Sequence, residues 1–173
     1  MPDPTLEVRL QAILFVAAGP LSLDQLSEAT TEPTESVGQA LKLLEDSMQS
    51  GGIRLSQLDG QYRLVTAPEV APLVRKYLQD ESSSDLSKPA LETLAIVAYR
   101  GPLTKSAIEA IRGVASDVML RNLLARGLIN ESGKSQEPGR PVLYAISHAF
   151  LQHFGLTNPA ELPAIPSEDP NED

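Results

Sequence analysis

The chain has 173 residues, of which 42% are hydrophobic and none is cysteine, and 14 Lys and Arg against 23 Asp and Glu give a net charge of −9. This composition excludes disulfides and thiolate chemistry, and the longest apolar run, residues 12–18, is far shorter than the ~20 residues that cross a bilayer. We expect two compact domains, because units of about 75 residues each would use nearly all of the chain.

The first helix is predicted upstream of Gly19-Pro20, where apolar residues recur at helical spacing. These residues are Leu6, Leu10, Ile13, Leu14 and Ala17. Proline cannot continue the helical hydrogen-bond ladder, so the Gly-Pro pair ends this helix. Ser22 and Gln25 then fit a capping box, which predicts the start of a second helix.

A second apolar face is predicted on the first helix. Val8, Phe15 and Val16 point away from the first stripe, so the helix is apolar almost all round. Such helices are usually buried on two sides. We expect these three residues to form a dimer interface; the alternative is that the hairpin or the following domain covers them.

A third helix and a hairpin complete the first half. The helix is marked by apolar residues spaced i, i+4, i+7 and i+11, namely Val37, Leu41, Leu44 and Met48. The stretch "IRLSQLDGQYRLV" alternates apolar and polar residues around Asp59-Gly60, which is a strong signal for a two-residue hairpin turn. A closing helix is predicted near residues 70–78, followed by the polar linker "QDESSSDLS".

The second half repeats this plan at an offset of 82 residues. The offset pairs Gly19-Pro20 with Gly101-Pro102, Leu14 with Ile96, Phe15 with Val97, Leu21 with Leu103, Ser22 with Thr104 and Leu26 with Ile108. A third helix containing Leu120, Leu123 and Leu124 is expected to end at Gly127. Strands around Pro138-Gly139 and a closing helix over residues 148–154 follow.

Three helices followed by a β-hairpin is the plan of a winged helix-turn-helix. We therefore predict a mainly α fold with small β-hairpins (α+β), built from two tandem winged helix-turn-helix domains. Their predicted bounds are 1–80 and 87–156, with a linker at 81–86. The last stretch, residues 157–173, has prolines, acids and no helical stripe, so we predict a disordered acidic tail that folding does not require.

The charge distribution argues against a strong DNA-binding surface. Residues 1–80 carry net −5, residues 81–158 carry +1 and residues 159–173 carry −5. The first candidate recognition helix sets Lys42 and Gln39 against acids that repel phosphate, which are Glu35, Glu45 and Asp46. The second half offers four basic residues, Arg121, Arg126, Lys134 and Arg140, for which an ordinary solvated face is the favoured interpretation.

Signs of catalysis are weak in this sequence. It has no Gly-rich phosphate loop and no metal-ligand spacing, so we expect no enzyme activity, no cofactor and no small-molecule substrate. His148 and His153 do not share a helical face well. Tyr99-Arg100 is either a binding pair or a helix C-terminus with its compensating cation. The N-terminal "MPDPTLE" is unlike a signal peptide, which favours a cytoplasmic protein.

Four stretches of the second half, "PALETLAIVAYRGPLTKSAIEAIRGV", "LRNLLARGLI", "PGRPVLYA" and "FLQHFGL", resemble segregation and condensation protein B, the ScpB family. The first half is similar through "LEVRLQAILFVAAGPLSLDQLSE" and "GIRLSQLDGQYRLVT". The resemblance implies a non-enzymatic subunit of the bacterial SMC condensin complex. It would form a homodimer, bind the kleisin ScpA and reach the SMC ATPase through that kleisin.

That resemblance also implies a role in chromosome condensation and partition during cell division, on the nucleoid, with weak or indirect DNA contact. Candidate partner-binding residues in the second half are Tyr99, Arg100, Arg121, Arg126 and Arg140. The alternative function is that of a dimeric winged-helix transcriptional regulator, which would bind specific duplex DNA tightly and lose affinity steeply as salt rises.

Overall fold

The computed structural model of the protein describes residues 3–78 and 86–164. These residues form eight α-helices and two three-stranded antiparallel sheets. The helices are α1 Leu6–Val16, α2 Leu23–Thr30, α3 Thr34–Met48, α4 Ala71–Leu78, α5 Lys88–Arg100, α6 Lys105–Arg112, α7 Asp117–Ala125 and α8 His148–Phe154. The strands are β1 Leu21–Ser22, β2 Ile53–Leu58, β3 Gln61–Thr66, β4 Leu103–Thr104, β5 Ile129–Lys134 and β6 Val142–Ile146. Helices with small β-hairpins are thus confirmed.

Each half places its elements in the same order: helix, two-residue strand, helix, helix, hairpin, helix. The short strands β1 and β4 were not predicted. Each pairs with the second strand of its own hairpin, so the sheet orders are β1-β3-β2 and β4-β6-β5. The residues after each Gly-Pro pair therefore tie the first two helices of a half to its hairpin.

The caps and the first hairpin turn are confirmed. Ser22 and Gln25 make a reciprocal capping box, with Gln25 N donating to Ser22 Oγ over 3.2 Å and Ser22 N to Gln25 Oε1 over 2.8 Å. Thr104 Oγ1 accepts from the backbone of Ala107 in the second half. Asp59 and Gly60 both have positive φ, 50° and 72°, as a two-residue hairpin turn of the predicted kind requires.

Two hydrophobic clusters form the interior. The first contains Leu10, Leu14, Leu26, Val37, Ala40, Leu41, Leu44, Met48 and Leu55. The second contains Leu58, Ala90, Leu94, Val97, Ile108, Leu120, Leu123, Leu128, Ile129, Ile146, Phe150 and Leu151. All four residues that marked the third helix of the first half are buried, so that prediction is confirmed. Leu58, at the tip of the first hairpin, packs into the second cluster and joins the two halves.

The equivalence of positions 82 residues apart is confirmed for the residues that follow the two Gly-Pro pairs, but not for those that precede them. Leu26 and Ile108 are both fully buried at 0% exposure, and Ser22 and Thr104 are both helix caps. Before the pairs, Phe15 is exposed whereas Val97 is buried, so their predicted equivalence is wrong. The reason is that α1 ends three residues before its glycine, whereas α5 ends directly before its own.

The prediction of a disordered tail is wrong for residues 157–164. They follow α8 into a 3-10 turn, Pro159–Glu161, capped by the Asn158 side chain. Leu156 and Leu162 pack against the second cluster, and this apolar contact holds the segment in place. The rest of the predicted tail, 165–173, and the predicted linker up to residue 85 lie outside the described residues; Leu86 packs against the second cluster.

Candidate functional site

Helix α1 carries an exposed apolar face. It buries Leu10 and Leu14 inward, while Val8, Phe15 and Val16 remain 52%, 74% and 78% exposed. Neither the first hairpin nor the part of the second half that the structure describes, residues 86–164, covers these three side chains, so the alternative interpretation of this face is wrong. Large apolar side chains grouped on one helix face mark a surface suited to protein contact.

Tyr99 and Arg100 form the last turn of α5, but the structure gives them different surroundings. The Tyr99 hydroxyl donates a 2.8 Å hydrogen bond to the carbonyl oxygen of Pro163, so this ring is held by the segment after α8. Arg100 is exposed, and its charge complements the carboxyl end of the helix. Tyr99 is therefore held in place by a contact that is distant in sequence, whereas Arg100 is the exposed last residue of α5.

The other predicted partner residues lie on α7 and in the second hairpin, and all three are exposed. Arg121 is on α7, Arg126 caps its C-terminus, and Arg140 lies in the hairpin loop with a positive φ of 43°. Arg121 is near an acid, because its charge helps to lower the pKa of Asp117. The beginning of α7 therefore mixes charges of both signs.

Asp117 has a closer partner in Lys105 of α6. Their hydrogen-bonded ion pair lowers the pKa of the Asp117 carboxyl and raises the pKa of the Lys105 amine. Glu109 also pairs with Lys105, at 3.9 Å. These two acids neutralise the charge of Lys105, which could otherwise contact phosphate.

Sequence reasoning missed an apolar groove in the second half, with a volume of 440 Å³. It lies between α5, α8 and the segment that follows α8. Its lining comprises Leu91, Leu94, Ala95, Ala98, Tyr99, Phe150, Phe154, Leu156, Glu161, Leu162 and Pro163. The i, i+4 pair Phe150 and Phe154, whose ring centroids are 4.8 Å apart, was the available signal. The sequence does not show that residues 156–163 fold back beside this pair, however, so the two phenylalanines are indistinguishable from ordinary core residues.

His148 is the most perturbed titratable group that the described residues contain. It is buried where α8 meets β2, with 3.1 Å between its Nδ1 and Ser56 Oγ. Its Nε2 is also buried and has no hydrogen-bond partner among the described residues. The His148 pKa is lowered to about 4: burial is the largest cause, the charge of Arg63 acts in the same direction, and Asp59 opposes the shift. This histidine is a structural link between the halves.

Two further searches covered residues 3–78 and 86–164. No helix there is both long and apolar enough to cross a membrane. No group of three or more His, Asp or Glu side chains in these ranges is placed to hold a metal ion.

An exposed apolar helix face in one half and an apolar groove in the other define a protein whose surfaces are suited to binding other proteins. Residues 8–165 match the family model described as "Segregation and condensation complex subunit ScpB". Segregation and condensation protein B of Desulforamulus reducens is 43% identical over 161 residues, which cover 90% of this chain and 87% of that protein. The chain belongs to the ScpB family.

Solved structures of the family are also similar to this chain. The crystal structure of ScpB from Mycobacterium tuberculosis is 40% identical, covers 88% of this chain and 96% of that chain, and gives a TM-score of 0.44. The dimer of an ScpB N-terminal domain complexed with an ScpA peptide is 27% identical, with 41% of this chain and 91% of that chain covered and a TM-score of 0.39.

Proposed function

We propose that this protein is a non-enzymatic subunit of a condensin-like SMC complex, which binds the kleisin ScpA and takes part in chromosome condensation and partition. Membership of the ScpB family, over residues 8–165, is the observation that carries the proposal. Its location would be the cytoplasm, in association with the nucleoid. The SMC ATPase would be reached through the kleisin.

The proposal treats each half as a winged helix that binds protein instead of DNA. The repeated order of three helices and a hairpin, with a short strand closing each sheet, supports this assignment. The predicted domain bounds, 1–80 and 87–156, belong to the same proposal. The second half would hold the partner, with Tyr99, Arg100, Arg121, Arg126 and Arg140 as candidate contacts.

The first half would form the homodimer through the exposed face of α1. Val8, Phe15 and Val16 supply large apolar area there, and removing such area from water is the main favourable term in association. The exposed acids of α3, Glu35 and Asp46, oppose its use as a DNA-recognition helix.

The test is a pair of titrations, with labelled ScpA from the same genome and with labelled duplex DNA, each at two salt concentrations. ScpA should bind through apolar anchors and keep its affinity at moderate salt. Duplex DNA should bind at about 10⁻⁴ to 10⁻⁶ M and be lost as salt rises, because few phosphates are neutralised. Nanomolar, sequence-selective DNA binding without ScpA binding would overturn the proposal in favour of a transcriptional regulator.

A further inference from the structure

The two halves of the protein touch through a small contact, here called the joint. On one side of it is the first hairpin, and on the other are α8 and the segment that follows α8. Leu58 of the hairpin is buried and packs into the second cluster. The backbone N–H of Gln57 donates to the Thr157 carbonyl over 2.9 Å, and Gln152 Nε2 donates to Thr66 Oγ1 over 3.3 Å. The joint therefore depends chiefly on one large apolar side chain and on hydrogen bonds around it.

Each half has a hydrophobic core of its own beside this joint. The buried residues of the first cluster lie between positions 10 and 55, and those of the second, Leu58 apart, lie between positions 90 and 151. A cavity of 380 Å³ adjoins the joint, lined by Leu58 and Asp59 from the hairpin and by Pro159 among others from the second half, so the contact is incompletely packed. Units with separate cores and a small contact between them are free to move relative to one another.

A buried imidazole lies inside the joint. His148, in the first turn of α8, is 8% exposed, and its Nδ1 is 3.1 Å from Oγ of the fully buried Ser56 on β2. Its Nε2 is buried and has no hydrogen-bond partner among the described residues. The two charges that act on the ring both belong to the first hairpin: Arg63 repels a protonated ring, and Asp59 attracts it. Burying a charge without a hydrogen-bonded partner is unfavourable, so the docked joint favours the neutral ring.

The other charged groups on the elements that form the joint are already engaged. Arg54 of β2 donates to the Glu69 carboxylate over 3.2 Å. Glu161, in the segment after α8, accepts from the Thr157 backbone over 2.9 Å and from Asn158 Nδ2 over 2.8 Å. These carboxylates are held by other donors, so a proton taken up by the imidazole is not compensated by them.

Separation of the halves would return the ring to water. The pKa of His148 is about 4 in the docked form, because of burial above all, against an ordinary value of 6.5. A form that binds the proton more tightly gains population as the pH falls. These two values raise the ratio of undocked to docked molecules about 20-fold between pH 7 and pH 5.

We propose that the joint is a proton-sensitive switch: the first hairpin docks on α8 while His148 is neutral and leaves α8 when the ring is protonated, so that the two halves separate while each stays folded. In the docked form the exposed face of α1 and the second half move as one body. In the undocked form they are connected by the chain alone. The inference goes beyond the proposed function and does not depend on ScpA binding.

The experiment measures the distance between the halves in the full chain by single-molecule fluorescence energy transfer. The chain has no cysteine, so Gln39→Cys on α3 and Ser106→Cys on α6, both at exposed positions, take the two dyes. Excess unlabelled protein ensures that a dimer carries at most one labelled chain. Leu58→Ala should raise the ratio of undocked to docked molecules at pH 7 at least about 10-fold, because it removes the apolar contact of the joint. Leu43→Ala, the matched control at a leucine that is 58% exposed, should change it less than about 2-fold.

The response to pH is then measured in the Leu58→Ala protein, where both forms are populated. Its ratio of undocked to docked molecules should rise about 20-fold from pH 7 to pH 5. When His148→Gln is added, the ratio should change less than about 3-fold over the same range, because glutamine does not titrate. If Leu58→Ala does not fold, Leu58→Val replaces it, with a smaller rise at pH 7 in the same direction.

Three results would overturn the inference. The first is one unchanged distance in the Leu58 variant at both pH values, since the joint would then not open. The second is an equal rise with and without His148→Gln, since another group would then control the joint. The third is a loss of helical circular dichroism in step with the change in distance, since the halves would then unfold instead of separating.

Discussion

The imidazole of His148 should make this protein less stable as the pH falls from about 6.5 towards 4. The ordinary pKa of the side chain is 6.5, and burial lowers it to about 4 in the folded protein. Between those values the unfolded chain binds more protons than the folded one, so acidification favours unfolding. Above pH 6.5 the imidazole is neutral in both states, and this contribution to stability is fully present.

The two pKa values set the size of the effect. Their difference corresponds to a loss of at most about 3 kcal/mol once His148 is protonated in both states, and to a loss of about 2 kcal/mol by pH 5. The surroundings of the ring explain why its pKa is lowered: the protonated imidazole would be buried beside Ser56 and repelled by Arg63, and the opposing effect of Asp59 is smaller.

Urea unfolding followed by circular dichroism at pH 7 and pH 5 measures this loss. The His148→Gln variant should lose about 2 kcal/mol less than the parent protein on acidification, since carboxylates titrate equally in both. His153→Gln, which changes the exposed histidine of the same helix, leaves His148 as the single histidine of the chain. The NMR titration of the remaining ring in that variant gives the His148 pKa directly. A His148 pKa of 6 or above, or equal pH dependence in the parent and His148→Gln, would refute the reasoning.

Three further predictions concern the backbone at Gly101, the proposed dimer and the segment that follows α8. Gly101→Ala should lower the free energy of unfolding, measured in urea, by about 1–3 kcal/mol, because a Cβ there would lie 2.4 Å from the Val97 carbonyl oxygen. Gly19→Ala is the matched control: a Cβ there would have nothing within 4 Å, so the free energy of unfolding should change by less than about 1 kcal/mol. Phe15→Asp should convert the proposed dimer to monomer in sedimentation while leaving circular dichroism unchanged; an intact dimer would place the interface elsewhere. Deleting residues 165–173 should barely move the thermal midpoint, whereas deleting 157–173 should lower it by several degrees. Equal midpoints for the two deletions would mean that residues 157–164 add no stability.

The features that could be predicted from the sequence are those that neighbouring residues determine. The capping box of Ser22 and Gln25 spans three positions, and the Asp59-Gly60 turn needs only two residues that tolerate positive φ. The stripe of Val37, Leu41 and Leu44 follows from helical periodicity alone. Each of these signals is complete within one turn of the chain or within one helix.

The groove could not be predicted because its contacts are distant in sequence. Tyr99 and Pro163 are 64 residues apart. The same holds for the link between the halves, where Ser56 and His148 are 92 residues apart. Prolines and acids made residues 157–164 look like a tail with nothing to bury. Two leucines, Leu156 and Leu162, pack this segment against the second cluster, and the hydrogen bond from Tyr99 holds its far end.

Phe15 and Val97 are not equivalent because α1 and α5 end at different distances from their glycines. Relative to its glycine, α1 ends two residues earlier than α5, and two residues correspond to a rotation of about 200° around a helix. Phe15 is therefore turned towards solvent, where α1 gains an apolar face, while Val97 is turned into the second cluster. Because α1 ends early, Gly19 lies away from its helix and a Cβ there would contact nothing, whereas Gly101 lies directly against the Val97 carbonyl of α5. A difference of two residues at one helix end thus leaves an exposed apolar face in the first half and a close contact between Gly101 and the Val97 carbonyl in the second.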